Sequence, residues 1–415
     1  MSKSVYDTII VGLGAAGEMA AAKLATSNTN KKILVIEAGS PFLKRRSQII
    51  GSGGCTMFSD GKLYANDLKY LEKLVGIRKA KSALKWFKGF TEDLFNIDMQ
   101  KDKSPSATTV KNIKKLGFDI ETNSYAQLIP ANFHNLSKKL VETYDKNQNI
   151  EFIYDKEVLT VSKSKNVFSV VTEGGDTFYC KRLVLSSGRA SWRWVSEIYK
   201  QFNIVKENNY ARFGIRVELP EECMEHFNKS HCSLSKKEYS VEKISWNSTM
   251  VPEDHGNVAA GDIVISNCRS GENEQRWANN KTSFNLLGNI KFENKGVEQT
   301  NRIAQLSFIL SNERISKEKI STLLNSKSKL SVIPEYNWLI DSVKELSKII
   351  PDISNKGYYY FPTICPLPIK VNMTRNLQTD ITGLYVCGEN SGQIGILYAM
   401  LSGIIVADAL LQMNK

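Results

Sequence analysis

The sequence predicts an α/β fold, with a parallel-sheet domain assembled from both ends of the chain and a mixed α/β domain inserted between them. Three observations predict it. A β-branched run, a glycine turn, an alanine-rich stretch and a second β-branched run follow one another at the amino end. The hydrophobic period then changes repeatedly through the middle. A short apolar strand and a long apolar helix close the chain and return to the opening pattern. The length of 415 residues agrees, since single cores stop growing at about 250–300 residues.

Residues 6–11 have the composition of a strand buried on both faces. A glycine turn follows, then a helix-prone stretch at 18–27. Residues 33–36 are a second buried strand, ending at Glu37, and the order makes one right-handed βαβ unit. Residues 62–130 read as a helical excursion, with Leu, Tyr, Trp and Phe at helical intervals over 68–74 and 82–94. Another amphipathic helix spans 133–145, with Phe133, Leu136, Leu140 and Val141 on one side. Short strands follow at 150–154 and 158–161, and a Gly174-Gly175 turn joins 167–172 to 177–180 as a hairpin. Residues 183–185 form a buried strand running into Ser186-Ser187-Gly188. Farther on, 213–219 alternates as a strand, 307–310 reads as another, and 335–350 as a helix stopped by Pro351. The last elements are a strand at 384–387 and a helix at 394–413. The expected partition assigns 1–192 and 369–415 to one domain and 193–368 to the other.

Composition narrows the function classes. Hydrophobic residues at 42% and charged residues at 24% describe a globular chain. The net charge of +12 fits a solvated lysine-rich surface, or else an acidic partner such as nucleic acid. The densest basic spot, Lys44-Arg45-Arg46, is too short for a nucleic-acid arm. The seven cysteines include no C-x-x-C pair, which argues against a dithiol relay or a zinc cluster and favours a reducing, cytoplasmic setting. The four histidines have no metal-ligand spacing, so no metal is expected. The apolar stretches 8–24 and 394–411 are broken by Glu18, Ser402 and Asp408 and read as buried elements, with no membrane partner.

Gly12-Leu13-Gly14-Ala15-Ala16-Gly17 carries the strongest chemical signal. A lone G-x-G-x-x-G is weak evidence, but this one follows a strand, opens a helix, and has Glu37 20 positions beyond Gly17. That is the context of a Rossmann-like dinucleotide fingerprint. Gly12 allows the tight turn, Gly14 lets a pyrophosphate approach the backbone, and Gly17 lets helix and strand pack closely. The helix N-terminus, with Ala15 and Ala16, offers N–H groups to phosphate. Glu37 is placed to accept hydrogen bonds from ribose hydroxyls.

Three further segments resemble motifs of the glutathione-reductase-like FAD proteins, which include p-hydroxybenzoate-hydroxylase-like members. Leu183-Val184-Leu185-Ser186-Ser187-Gly188 is similar to the apolar strand ending in A-T-G, with Ser-Ser-Gly in its place. Thr382-Gly383-Leu384-Tyr385-Val386-Cys387-Gly388-Glu389 resembles the second FAD motif, whose acidic residue binds a ribityl hydroxyl. Ser391-Gly392-Gln393-Ile394-Gly395-Ile396 then resembles the opening of a helix aimed at the flavin. Its dipole suits a reduced, negatively charged ring. Near Glu157-Val158 the resemblance implies backbone passing the adenine. A closer resemblance is to a family of FAD-utilising dehydrogenases. It is carried by Gly53-Gly54-Cys55-Thr56-Met57-Phe58-Ser59-Asp60-Gly61-Lys62-Leu63, by Phe213-Gly214-Ile215-Arg216-Val217-Glu218-Leu219-Pro220, and by the segment ending at Gln393. Cys55 replaces a small residue of the family pattern, and the family's central cysteine segment has no clear match near Cys268.

The resemblance implies a Rossmann-like FAD-binding domain and non-covalent FAD. The expected cofactor contacts are Gly12, Gly14, Ala15, Ala16, Gly17, Glu37, Ala38, Gly53, Gly54, Cys55, Ser59, Asp60, Val158, Ser187, Gly188, Gly388, Glu389, Gly395 and Ile396. Ser59 and Asp60 are also expected to hold their loop through side-chain-to-backbone bonds. The implied reaction is hydride transfer between a small or medium organic substrate and flavin N5. With one fingerprint only, electrons come from the substrate, from transiently bound NAD(P)H, or from a partner. An FAD monooxygenase and a flavin-using non-redox enzyme, such as a lyase or nucleic-acid modifier, are the alternatives. Lys62 is a candidate contact to flavin or substrate, against an exposed lysine. His134 is a candidate acid–base group, against a surface or capping histidine. His255 sits in a turn-like stretch that could serve a substrate loop. Trp192-Arg193-Trp194 reads as a packing or cofactor-shielding pair, and residues 358–362 as pocket lining or core. Substrate and oligomeric state are not legible.

Overall fold

The computed structural model describes residues 5–27, 29–45, 50–54, 56, 59, 61–188, 191–206, 210–251, 267–270, 279–293, 295–312, 314–365 and 370–412. Its first sheet has a parallel part built from both ends of the chain. Strand Val5–Val11 lies at the centre, parallel to Ile33–Ile36 on one side and to Thr177–Leu185 on the other. Ile150–Ile153 extends the sheet beyond Ile33–Ile36, and Leu384–Val386 pairs with the far half of Thr177–Leu185. The near half of that strand pairs antiparallel with Val167–Thr172, which pairs with Val158–Ser164. The short strand expected at 183–185 and the hairpin arm at 177–180 are thus one nine-residue strand serving two neighbours.

Apolar residues fill both faces of the parallel part, which is why its strands show no alternation. On one face Ile10 and Val184 pack with helix Ala15–Ala25, helix Pro130–Asp145 and the terminal helix Ile396–Gln412. On the other face Ile9, Leu34 and Leu183 pack with Val195, Ile198 and Tyr199 of helix Trp192–Gln201 and with Phe168 and Val170 of the hairpin. The terminal helix, apolar all round, is buried within this domain. Among the described residues no helix is long and apolar enough to cross a membrane.

The second sheet has seven strands and is antiparallel. Within it Tyr210–Pro220 lies between the central strand Lys281–Lys291 and Tyr358–Cys365. Residues 211, 213, 215, 217 and 219 face an apolar core capped by helices, while Arg212, Arg216 and Glu218 occupy the opposite face. The strand expected at 307–310 is the end of helix Gly296–Leu310. Its short β-rich run is overridden because Ile303, Ala304 and Ser307 recur at helical spacing and are buried. Over 358–361 the aromatic run is split between faces: Tyr359 and Phe361 enter the core, and Tyr360 reaches Glu218.

The excursion after the first βαβ unit contains helices Ala65–Val75 and Ile77–Thr91, packed on the first core. It also holds material of the other sheet. Ile113 of helix Ala107–Lys115 lies in the second core, and strand Asp119–Glu121 pairs with Ser233–Ser235. The second lobe therefore draws on residues well before 193. Helix Trp192–Gln201 stays with the first sheet.

Candidate nucleotide site

Four adjacent parallel strands, Ile33–Ile36, Val5–Val11, Thr177–Leu185 and Leu384–Val386, end on the same side of the sheet. Each runs into a turn that the sequence marked: Glu37 to Gly39, Gly12 to Gly14, Ser186 to Gly188, and Gly388 to Asn390. Ligands of open α/β sheets bind outside such carboxyl ends.

Close approach explains two of the fingerprint glycines. Gly12 has φ +94°, and a Cβ there would lie 2.5 Å from Ser187 Cα. A Cβ on Gly17 would overlap the carbonyl oxygen of Gly12 and stand 3.0 Å from Ser186 Oγ. Ser186 Oγ donates to the carbonyls of Gly12 at 2.8 Å and Val11 at 3.0 Å, locking the third strand to the turn. Gly14 is different. Its nearest Cβ neighbours would be Gly54 Cα at 3.8 Å and Ser186 O at 4.0 Å. A Cβ there would make only ordinary van der Waals contact. Gly14 lies beside the helix's first turn, where Ala15, Ala16 and Gly17 carry N–H groups without intrahelical acceptors. Gly54 packs against this turn, since its Cβ would stand 3.2 Å from Gly14 Cα and 3.5 Å from Ala15 N.

Glu37 is only 6% exposed. Its carboxylate accepts from Leu13 N at 2.6 Å, Gly39 N at 2.9 Å and Gly51 N at 3.1 Å. A carboxylate has about four acceptor sites, so the residue expected to meet ribose hydroxyls also ties three backbone segments together. Lys156 N donates to Glu37 O at 3.1 Å, which brings the chain before Val158 alongside it. Val158 itself is buried in the core, and Ala38 is exposed.

Glu18, one residue past the fingerprint, lies behind the same loop and is 4% exposed. Ser52 Oγ donates to it at 3.0 Å. Burial pushes its carboxyl up to about 8; the Ser52 bond and the Arg45 charge offset this in part, and Glu37 adds to it. Arg45 bridges the loop by donating to the carbonyls of Ser52 and Gly54.

On the far strands, Asn390 is the organiser. Its Oδ1 accepts from Gly188 N at 3.1 Å and Ser187 Oγ at 3.3 Å, its Nδ2 donates to Gly188 O at 3.3 Å, and its own carbonyl accepts from Tyr199 Oη at 2.7 Å. Gly388 N donates to Ser402 Oγ of the terminal helix at 2.8 Å. Glu389 is half-buried beside it. Gly395 and Ile396 stand at the start of that helix. Trp192 Nε1 is buried and finds no hydrogen-bond partner among the described residues, whereas Trp194 Nε1 donates to Leu159 O at 3.0 Å. The two tryptophans are therefore not an equivalent pair.

Ser59 holds its loop, donating to Thr56 O at 2.8 Å and accepting from Gly61 N at 3.1 Å. Cys55, Asp60 and His255 lie outside the described residues. Lys62 is 2% exposed, so it is not a surface lysine, and its Nζ lies 5.5 Å from the centre of the Tyr125 ring. Tyr125 also meets His231 edge-on, at 5.3 Å between ring centres. His231 is buried with Asp102, which accepts from His231 N at 2.9 Å and lies 3.4 Å from its Nδ1. His134 is half-buried against Phe42, 5.7 Å between centres. The structure thus puts Lys62 and His134 in separate aromatic settings.

Cys180, Cys223, Cys232 and Cys387 are buried free thiols. Burial pushes Cys180 and Cys387 up to about 12, so neither is a thiolate nucleophile. Among the described residues no group of His, Cys, Asp and Glu could hold a metal ion.

Sequence reasoning missed Asn390, Asp67 and the Asp102–His231 pair. Asn390 stands inside a segment it had singled out. Asp102 and His231 are distant in sequence, and no spacing connects them.

No protein-family model matches the chain, and no curated protein matches it. Solved structures do. It is similar to glycine oxidase from Geobacillus kaustophilus at 13% identity and TM-score 0.44, covering 98% of this chain and 95% of that one. A flavoprotein/dehydrogenase from Cytophaga hutchinsonii is similar at 12% identity and TM-score 0.41, covering 99% and 79%. A mutant of the halogenase PltM in complex with FAD is similar at 11% identity and TM-score 0.47, covering 99% and 71%.

Proposed function

We propose that this chain binds FAD non-covalently and is an FAD-dependent oxidoreductase that exchanges a hydride between a small or medium organic substrate and the flavin. The observation that supports it is the set of glycine turns at the four strand ends, with Gly54 packed against Gly14 beside the helix N-terminus. The donor set fits a dinucleotide. Backbone N–H groups of the fingerprint helix would stabilise pyrophosphate, Glu37 keeps acceptor capacity for ribose hydroxyls, and Glu389 would take the ribityl hydroxyl that the motif resemblance implies. The buried Trp192 N–H adds a donor within the same domain.

When bound, the flavin supplies the two-electron chemistry. The chain's own residues bind, orient and exclude water. Asn390 fixes Ser187-Gly188, the shared edge between the two halves of the cradle. Lys62 brings a buried lysine to the strand leading from the Gly53-Gly54 loop.

The first test is spectroscopic. Purified protein is expected to be yellow, or to take up FAD when the apoprotein is reconstituted. Anaerobic titration with candidate substrates is then expected to bleach the flavin band with one compound class. Colourless protein that takes up no flavin overturns the reading. Rapid NAD(P)H consumption coupled to oxygen insertion would instead select the monooxygenase.

A further inference from the structure

Helix Ile77–Thr91 carries five basic residues and no acidic one. Ala80, Ala83 and Phe87 bury one side of it in the first core. Arg78, Lys81, Lys85 and Lys88 recur at intervals of three and four, and all four are exposed. At 3.6 residues per turn they fall within about 80° of the helix circumference, opposite the buried side, in a stripe about 15 Å long. The fifth cation, Lys79, lies off the stripe and is engaged, donating to Asn376 Oδ1 and to Arg375 O at 3.2 Å.

The stripe is not a mixed, solvated face. Lysines on the neighbouring helices are neutralised: Lys23 pairs with Asp408 at 3.2 Å and Lys139 with Asp93. Among the described residues the four stripe cations make no ion pair or hydrogen bond. Like charges at these intervals repel and weaken a helix, so folding does not call for them. They suit a row of anions. An anionic lipid surface is a poor match, because it would need apolar side chains beside the cations to insert. Here the aromatic residues turn away, Phe87 into the core and Trp86 onto Phe90 at 4.9 Å between ring centres. On the stripe side only Ile77, at one end, is a large exposed apolar residue.

Beyond Lys88 the surface dips into a cavity of about 380 Å³, lined by Lys88, Gly89, Glu92, Phe95, Asn96 and Ile97. Its walls differ in chemistry from the stripe. Phe95 offers a ring, Asn96 an amide and Glu92 a carboxylate, and the carbonyl end of the helix is near. Glu92 and those carbonyls repel a phosphate but can accept hydrogen bonds from the amino groups of a base. A row of cations running into such a recess matches a backbone of phosphates that carries unpaired bases.

We propose that this helix is a docking surface for single-stranded nucleic acid, with Arg78, Lys81, Lys85 and Lys88 along successive phosphates and the adjoining cavity receiving a base. It stands on the charge pattern and the cavity alone and does not depend on the flavin reading.

The test uses the full chain and fluorescent oligo-dT and oligo-rU of about twenty nucleotides, a length that exceeds the stripe. Binding is read by anisotropy over a range of salt, beside a duplex of equal length and vesicles of mixed phosphatidylserine and phosphatidylcholine. The two oligonucleotides decide between DNA and RNA. Wild type is expected to bind at least one of them more tightly than the duplex, with a slope of log affinity against log salt of about −2 to −3 for three or four phosphates. Two triple variants remove equal charge: Lys81→Gln, Lys85→Gln, Lys88→Gln on the stripe, and Lys111→Gln, Lys114→Gln, Lys115→Gln on helix Ala107–Lys115, where all three are exposed. The stripe variant is expected to bind at least tenfold more weakly, with the slope shallower by about 2. The control is expected to stay within about twofold, and both should melt with wild type. Equal weakening by the two triples overturns the proposal, since net charge alone would then account for binding. So does a wild type that binds neither oligonucleotide at low salt, that binds vesicles only, or that holds the duplex as tightly as the single strand, whether or not the variants fold.

Discussion

Glu18 in the parallel-sheet domain and Glu218 in the inserted sheet are buried alike, at 4% and 2% exposure, yet they titrate in opposite directions. Burial raises both. At Glu18 burial wins, because the Ser52 hydroxyl bond and the Arg45 charge offset only part of it and the Glu37 carboxylate adds to it. At Glu218 the Lys281 ammonium at 3.0 Å and the Lys317 ammonium at 3.2 Å outweigh burial and hold the carboxyl below its ordinary range. Tyr360 Oη adds a third donor at 3.2 Å. The inserted sheet settles its buried charge among its own side chains. The strand-end region keeps its polarity in the backbone and directs it toward an open cradle. Only the second arrangement leaves donors for a ligand.

The hardest test of the contrast is Gly17→Ala. Its methyl group would overlap the Gly12 carbonyl and push the helix that carries Glu18 off the strand. We expect a loss above about 4 kcal/mol and loss of bound flavin, read by thermal melting and by the flavin spectrum. Gly14→Ala, whose methyl group would meet only ordinary van der Waals contacts, should keep its melting temperature, and equal loss in both would break the argument.

Glu218→Gln comes next. Removing a charged acceptor from two lysines is expected to cost about 2–3 kcal/mol at pH 7. Because the folded-state value is depressed, this stability is present above the ordinary glutamate value of 4.5 and lost as pH falls through the folded value. The gap between variant and wild type should therefore close in acid.

Glu18→Gln should behave in the reverse sense. A folded value near 8 against 4.5 unfolded means the folded chain holds the extra proton. Stability is therefore lost as pH rises through that window. The variant is expected to melt with wild type at pH 4.5 and to exceed it at pH 8. A wild type that gains stability from pH 5 to 8 relative to the variant would refute the assignment. The smallest effect belongs to Ser52→Ala, about 1 kcal/mol, with the Glu18 value moving up because a donor to the charged form is gone.

How much was legible follows from the range of each interaction. The opening strand, the fingerprint turn, the helix and Glu37 were readable because they lie within one βαβ unit and follow local rules of glycine geometry and β-branched burial. The turns after Thr177–Leu185 and Leu384–Val386 were singled out by motif resemblance. The strand expected at 307–310 failed because a four-residue run cannot show whether its neighbours continue at helical spacing. Asp119–Glu121 could not be assigned to the second sheet, since its partner Ser233–Ser235 lies far along the chain.

By itself, then, the sequence determined that a nucleotide-type turn opens the chain and that the two ends share a sheet. Tertiary structure decided what each polar group faces. It made Asn390 the clasp of Ser187-Gly188, buried Lys62 against Tyr125, and set Asp67 against Gly395. The physical reason is that a turn or a buried strand is written in adjacent residues, whereas the field at a carboxylate depends on which distant segments fold against it.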